Sequence, residues 1–486
     1  MLLVFIRVTS PMRRVPGVLL IFCVSLYPGL CGPFIVRAAA TEPQQYDWVA
    51  ALPQTGPGRL EPARPVLKPA DVLPGSAFDL LRRAADIEAK FLKPPGFDAE
   101  VKQLNLVPWT AETFPCLTKM LRESKEAMEL AEQGTTIPNS QMPTYNSPTD
   151  SFPHLQPLMQ IGKLFQASAA RKVNEKDFTG AYADLDKAMD VADCLSRGSG
   201  LIHRLVEISS EVTALRSMRL IALQNDITPT ATRETIQHLL KIDKEMEPWA
   251  EVYRQEGQGI PTLVTMFFDP SGPAILSISG TGSDPKRAER DESEMRLHRH
   301  ARDFGFSPEE VTAHLQKVYA QLIDIAEKPY SVERLRNFDA VFAPPLDSLD
   351  WKTTYDPIGY CLAKCTIPIF SLVNARHYWR VAELRATEIT LAIRQFEQTE
   401  KHLPMTLNEL VPGYLPSVPL DPFDHKPLRY ILKAGNKWIV YSVGPNQKDE
   451  GGLVAEKRPT KYDMPGDLVY SSTEFDDEKA KLLKNK

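Results

Sequence analysis

The chain has 486 residues, 43% of them hydrophobic and 24% charged, with a formal net charge of -5. This is ordinary globular composition with material for about two to four domains, and it excludes a collagenous, low-complexity or wholly disordered chain. The mild acidity lacks the basic footprint that nucleic-acid binding needs, and the 41 prolines exceed the usual share of about 5%, which predicts abundant loops and extended linkers.

Residues 1–40 carry Arg7, Arg13, Arg14 and Arg37 and no acid, with an apolar run at 15–30 behind the arginine pair. This is the pattern of a secretory signal peptide, with Ala38, Ala39 and Ala40 as a small-residue cleavage site before Thr41 and either Met1 or Met12 as the start. Pro28 and Gly29 shorten the apolar run, so the alternatives are a cleaved signal and a retained N-terminal anchor. A lipoprotein reading is weaker, because Leu30 stands before Cys31 where a small residue belongs. Cleavage takes the net charge from -5 to -9, since four arginines leave with no acid, and it leaves Cys116, Cys194, Cys361 and Cys365. The expected location is therefore exported, periplasmic or at the cell surface. The even cysteine count permits three pairings there, although so few cysteines are more often packed thiols.

Residues 41–75 hold seven prolines without helical or strand periodicity and read as an extended linker. From residue 76 to about 350 the pattern is helical. Ser76 caps a first helix that ends before Pro94, and a second is predicted over 109–132. Further helices are predicted over 154–173, 178–196 and 201–223, the first two joined as one tetratricopeptide-like hairpin. One such unit is too few for a solenoid, so an irregular helical domain is expected. In the third of these helices Leu201, Leu205, Ile208, Val212, Leu215, Arg219 and Ala222 form an apolar seam. Thr228 with Pro229, and Ser307-Pro308-Glu309-Glu310, mark two more helix starts. The Gly- and Ser-rich stretch 270–285 has no strand-to-helix context for phosphate binding.

An apolar stretch over 356–370, broken by Lys364 and Pro368, is expected to be buried rather than membrane-spanning. A long helix then runs from about 369 to 401, with Leu372, Ala375, Trp379, Ala382, Ala386, Ile389, Ile393 and Phe396 at alternating spacings of 3 and 4. Thr406 and Glu409 form a capping box for one short helix, and four prolines follow at 412, 416, 419 and 422. Two strands over 428–432 and 438–442 flank a Gly435 hairpin loop, an acidic Gly loop spans 444–452, and a third strand is expected at 467–470.

This succession resembles the C-terminal domain of the major pseudopilin of type II secretion systems. The matching features are His402-Leu403-Pro404, the short helix 407–410, Tyr414-Leu415-Pro416, Pro419-Leu420-Asp421-Pro422-Phe423, Tyr430 and Tyr441-Ser442-Val443-Gly444. They lie within residues 376–470, about a fifth of the chain, and identify a fold more than an activity. The expected fold is mainly α: an irregular helical domain over 76–350, then, over 351–486, a long helix packed on a small antiparallel sheet. The resemblance implies a calcium ion held by Asn446, Asp449, Glu450 and Asp467, since calcium collects 6 to 8 oxygen ligands; a plain solvated acidic turn is the alternative. Lys448 and the insertion at Tyr462-Asp463 depart from the family pattern. So do Arg376, Arg380, Glu383 and Arg385 on the long helix, which argue against membrane-embedded assembly into a pseudopilus.

Other candidate chemistry is sparse. His298 and His300 do not share a helix face, the remaining histidines are dispersed, and no HExxH, Gly-x-Ser-x-Gly, P-loop or dinucleotide fingerprint occurs. The reading is a non-enzymatic exported structural or interaction protein of the bacterial cell envelope with an envelope protein as partner. Membrane contact is expected only through a retained N-terminal segment. The alternatives are an extracytoplasmic hydrolase or ligand-binding protein, with a site near 356–365 and 272–282, and an accessory of a type II secretion machine.

Overall fold

Asp356 starts a helix of 44 residues, Pro357–Glu400, around which the other elements are arranged. Its carboxylate accepts the Gly359 N–H at 2.8 Å, and Pro357 occupies the first turn, where a missing N–H costs nothing. The computed structural model describes residues 47–53, 60–62, 67–91, 93–138, 141–143, 152–224, 227–269, 306–343, 354–454, 462 and 464–484, without the side chains of 365–372. The signal segment, the Gly- and Ser-rich stretch, His298, His300 and the boundary expected near 350 lie outside the described residues.

Among the described residues the protein is mainly helical, with fifteen α-helices and a three-stranded antiparallel sheet near the C-terminus. In chain order the helices are α1 (Trp48–Ala51), α2 (Ala77–Glu88), α3 (Phe97–Gln103), α4 (Pro115–Glu123), α5 (Lys125–Thr135), α6 (Leu155–Asn174), α7 (Phe178–Ser196) and α8 (Leu201–Gln224). They continue as α9 (Pro229–Glu245), α10 (Trp249–Gly257), α11 (Ile260–Phe268), α12 (Pro308–Glu327), α13 (Val332–Val341), α14 (Pro357–Glu400) and α15 (Glu474–Lys484). The strands are β1 (Arg429–Lys433), β2 (Lys437–Ser442) and β3 (Leu468–Ser471), in the order β1-β2-β3. No described helix is long and apolar enough to cross a membrane.

The capping signals act where they stand. The Ser76, Thr228 and Ser307 hydroxyls accept N–H groups of the first turns of α2, α9 and α12, and Ser307 with Glu310 closes a full capping box. Thr406 and Glu409 do the same for a 3-10 turn, Leu407–Leu410. Three expectations need correction. The helix expected over 109–132 is two helices meeting at Ser124. The stretch expected as an extended linker contains α1, whose Trp48 is fully buried and donates Nε1–H to the Asp356 carbonyl at 3.1 Å. The long helix starts twelve residues before the expected position and continues through Pro368. That residue removes one hydrogen bond, a local cost that a helix packed along its length can absorb.

One apolar core runs from Trp48 to Tyr470, joining the helices to the sheet, and a smaller one lies where α3 and α4 meet α6. In the sheet, Tyr430 faces Val440 and Val440 faces Tyr470, so Trp438, Val440, Leu468 and Tyr470 share the face that joins the core with Ala386, Ile389 and Ile393 of α14. Most residues of α14 between Val381 and Phe396 are buried, so the helix is a central strut rather than a rod with one covered face.

Candidate functional site

The acidic loop folds over the other face of the sheet. Gly452, at φ +78, lies against Ile439 and Tyr441 so closely that any Cβ there would collide with the Ile439 side chain. Asp467, at the head of β3, accepts Gly452 N–H at 2.7 Å, Leu453 N–H at 3.2 Å and Glu450 N–H at 3.4 Å, and Asn446 Nδ2 donates to Glu450 Oε1 at 2.7 Å. Burial, and the Glu450 carboxylate beside it, raise the Asp467 carboxyl above its ordinary range. Glu450 Oε2 is buried without a hydrogen-bond partner, and among the described residues neither acid makes an ion pair.

Three of the four residues expected to hold calcium are thus brought together, namely Asn446, Glu450 and Asp467. The fourth, Asp449, is turned away: its Oδ1 accepts the Tyr441 hydroxyl at 3.2 Å and Gly451 N–H at 2.9 Å, and its Oδ2 lies 3.6 Å from Arg429 Nε. The fit to calcium is partial. The facing acids and the unpartnered Glu450 oxygen suit a cation. The N–H groups on Asp467 already supply what a carboxylate requires without one, and the oxygens falling short of six would have to come from solvent.

Next to this loop, the Asp421 of the Pro-rich turn is a fully buried hub. It accepts Phe423 N–H at 3.0 Å, Val443 N–H at 2.9 Å, Ser442 Oγ–H at 2.9 Å and Arg429 Nη1–H at 2.8 Å, tying the turn to the end of β2.

A cleft of about 510 Å³ opens between α8, the β2–β3 end of the sheet and α15. Arg219 of α8 is at its base, its Nη1 2.8 Å from Glu383 Oε2 and 2.8 Å from Thr387 Oγ1. Its Nε and Nη2 grip Glu474 of α15 at 2.9 and 3.0 Å, and its guanidinium stands 5.0 Å from the Tyr470 ring centre. Arg216 Nη2 reaches Glu478 Oε2 at 2.7 Å.

Deeper in, α8 and α14 run in the same direction, and charges line their contact. Arg380 bonds both Glu211, through Nε and through Nη2 at 2.7 Å, and Glu207, at 3.0 Å. Arg204 holds Glu207 at 2.8 Å and lies 3.4 Å from Glu247. Arg204, Glu207, Glu211, Arg380 and Glu383 are all within 1% of full burial. No protein-family model, no curated protein and no solved structure matches this chain.

Two histidine pairs lie elsewhere in the interior. His314 Nδ1 is 2.7 Å from Asp356 Oδ2 in a setting of aromatic rings from Trp48, Phe306 and Tyr355. His154 and His203 bring their Nε2 atoms to 3.1 Å, and burial lowers the His154 imidazole to about 4. Among the described residues no group of three or more His, Cys, Asp or Glu is arranged to hold a metal.

Sequence reasoning missed the buried charges on α8. The apolar seam drew attention to one side of that helix, and nothing was made of Arg204, Glu207 and Glu211, which stand at spacings of 3 and 4 on another side. The available signal was that α14 carries Arg380 and Glu383 amid an apolar helix, so that they require partners inside.

Proposed function

We propose that this chain is a non-enzymatic exported structural or interaction protein of the bacterial cell envelope, carrying a C-terminal domain of the type II secretion pseudopilin kind. The observation that carries the reading is the state of the interior charges. Arg380 with Glu207 and Glu211, and Arg219 with Glu383, are opposite charges consumed by one another between α8 and α14. Acids paired this way lock helices together. The packing of the three-stranded sheet on the apolar side of α14 supports the pseudopilin likeness. The meeting of Asn446, Glu450 and Asp467 supports a calcium ion on the acidic loop, joined by Asp449 if it releases Arg429.

One observation favours an extracytoplasmic hydrolase instead, the His314–Asp356 pair, because a carboxylate on Nδ1 orients an imidazole for base catalysis. Among the described residues, however, no serine, threonine or cysteine is hydrogen-bonded to His314, and the Asp356 carboxylate is already the cap of α14.

The test is expression of the full chain, tagged at the C-terminus, in a Gram-negative host, with fractionation by osmotic shock and mass determination of the product. A periplasmic or envelope-bound product, beginning at Thr41 or retaining its anchor, is expected. Accumulation of unprocessed chain in the cytoplasm overturns the export reading. Hydrolysis of any generic ester, peptide or glycoside substrate that is lost in His314→Ala overturns the non-enzymatic one. Co-purification with pseudopilus components would make it an accessory of the secretion machine.

A further inference from the structure

We infer that the cleft between α8, β2–β3 and α15 is a receptor site for an acidic helical segment of a partner protein, and that α15 occupies its mouth as an intramolecular stand-in. The first argument is how α15 is held. None of its side chains is buried, and its grip on the body is ionic: Glu474 on Arg219 and, one turn on, Glu478 on Arg216. The Arg216–Glu478 pair lies at the solvent boundary and is weakened by salt, and Glu474 keeps solvent access on one side of its pair with Arg219, so carboxylates from another chain can replace both.

The second argument is what α15 leaves unfilled. Behind it the cleft retains about 510 Å³, walled by Val212, Trp438, Ile439, Val469 and Tyr470, and Val454 stands 69% exposed beside it. A helix that turned apolar side chains towards the sheet would fill that space, whereas α15 lines it only with Glu474, Asp477, Glu478 and Lys481.

The third argument is charge. The body contributes four cations to the lining, Arg216, Arg219, Lys433 and Lys437, against one acid, Glu383, while α15 contributes three acids, Glu474, Asp477 and Glu478, against Lys481. With α15 in position the cleft is nearly balanced. With α15 lifted it is a cationic groove backed by apolar side chains. Its ligand is therefore an amphipathic segment with two carboxylates one helical turn apart and an apolar face between them. Arg219, nearly fully buried and stacked on Tyr470, is a preorganised bidentate anchor for the first of those carboxylates.

This deepens the reading of the chain as an interaction protein and rests on it. The experiment is independent of export, so failure to bind and failure to be exported are separate outcomes. A fluorescein-labelled synthetic peptide of residues 473–486 is titrated by anisotropy into three proteins: the intact chain, a chain ending at Thr473, and the intact chain carrying Glu474→Gln with Glu478→Gln. Because α15 buries no side chain the shortened chain should fold, and the double substitution carries the test if it does not. Removal or weakening of α15 is expected to tighten peptide binding on the order of tenfold or more, since the competent state is no longer masked. Binding should fall with salt, fall in Arg216→Glu, and return in that variant for a peptide with Glu478→Arg. Equal binding to the intact and released proteins, no binding to either, or equal binding of a peptide with both glutamates changed to glutamine overturns the proposal. A concentration-dependent dimer of the intact chain that is lost in the double variant also overturns it, in favour of exchange of α15 between two copies.

Discussion

Arg380 Nη2 lies 2.7 Å from Glu211 Oε1, with both side chains removed from solvent, at the contact of α14 with α8. Between the same two helices Arg219 meets Glu383 at 2.8 Å, and Arg394 Nε donates to the Ala222 carbonyl at 2.9 Å. A buried guanidinium with two carboxylates leaves no room for a helix to slide by a turn, because every displaced register strands a charge. The network therefore fixes the position of the strut that carries the sheet and the cleft.

Arg380→Ala is expected to cost about 3–5 kcal/mol, since it leaves Glu211 buried without its cation, while Glu207 keeps Arg204. Arg380→Met together with Glu211→Gln, with Glu207 left in place as the partner of Arg204, should lose much less. Urea denaturation of the single and double variants measures the difference, and equal losses would mean that the network contributes packing alone.

Glu388 on α14 predicts a pH dependence. Burial, with Asp243 nearby, pushes its carboxyl up to about 8, and its Oε1 has no hydrogen-bond partner. A carboxyl raised above its unfolded value near 4.5 binds its proton more tightly when folded, so its contribution is fully present below pH 4.5 and is lost as pH rises towards 8. Glu388→Gln should flatten the stability profile between those limits and stabilise the protein at pH 8 by on the order of 2–4 kcal/mol. Thermal melts across that range decide it, and an unchanged slope would assign the pH dependence to other groups.

Calcium is expected to raise the melting temperature of the full chain. Binding only to the folded state stabilises by about 2.7 kcal/mol at one hundred times the dissociation constant. Asp467→Asn should abolish the rise, while Asp449→Asn, whose carboxylate faces Arg429, should reduce it less. If the ion leaves the melting temperature unmoved, the loop is a solvated acidic turn.

Asp421→Ala should destabilise by roughly 3 kcal/mol or more, because the buried N–H groups of Phe423 and Val443 lose their acceptor. Asp421→Asn should recover little of this, as its amide nitrogen would face one of those donors. Denaturant midpoints of the two variants provide the check.

Trp48→Ala is expected to cost about 3–5 kcal/mol from lost burial and the lost bond to the Asp356 carbonyl. A loss under 1 kcal/mol would return this segment to the status of a linker.

The parts of the fold that were legible in the sequence are those written in local chemistry. Capping pairs such as Ser307 with Glu310 and Thr406 with Glu409 act over three residues, and the Gly435 hairpin and the stripe from Ala375 to Phe396 act over short repeats. The acidic loop was legible as a composition, and three of its four named side chains do converge. The orientation of Asp449 was not legible, since it depends on Arg429, twenty residues earlier on β1. Nor was the early start of α14. Asp356-Pro357 is a regular helix start, but Pro368 reads locally as a break, and only continuous packing makes the missing hydrogen bond tolerable.

What the chain determined by itself was where its capped helices at Ser76, Thr228 and Ser307 and its hairpin strands begin, because a cap or a turn is decided by neighbours a few bonds away. Which charges lie inside was decided only by the tertiary structure. A glutamate such as Glu211 and an arginine such as Arg380 look like surface residues until helices 169 positions apart are laid side by side, and only then does each become the reason the other can leave water.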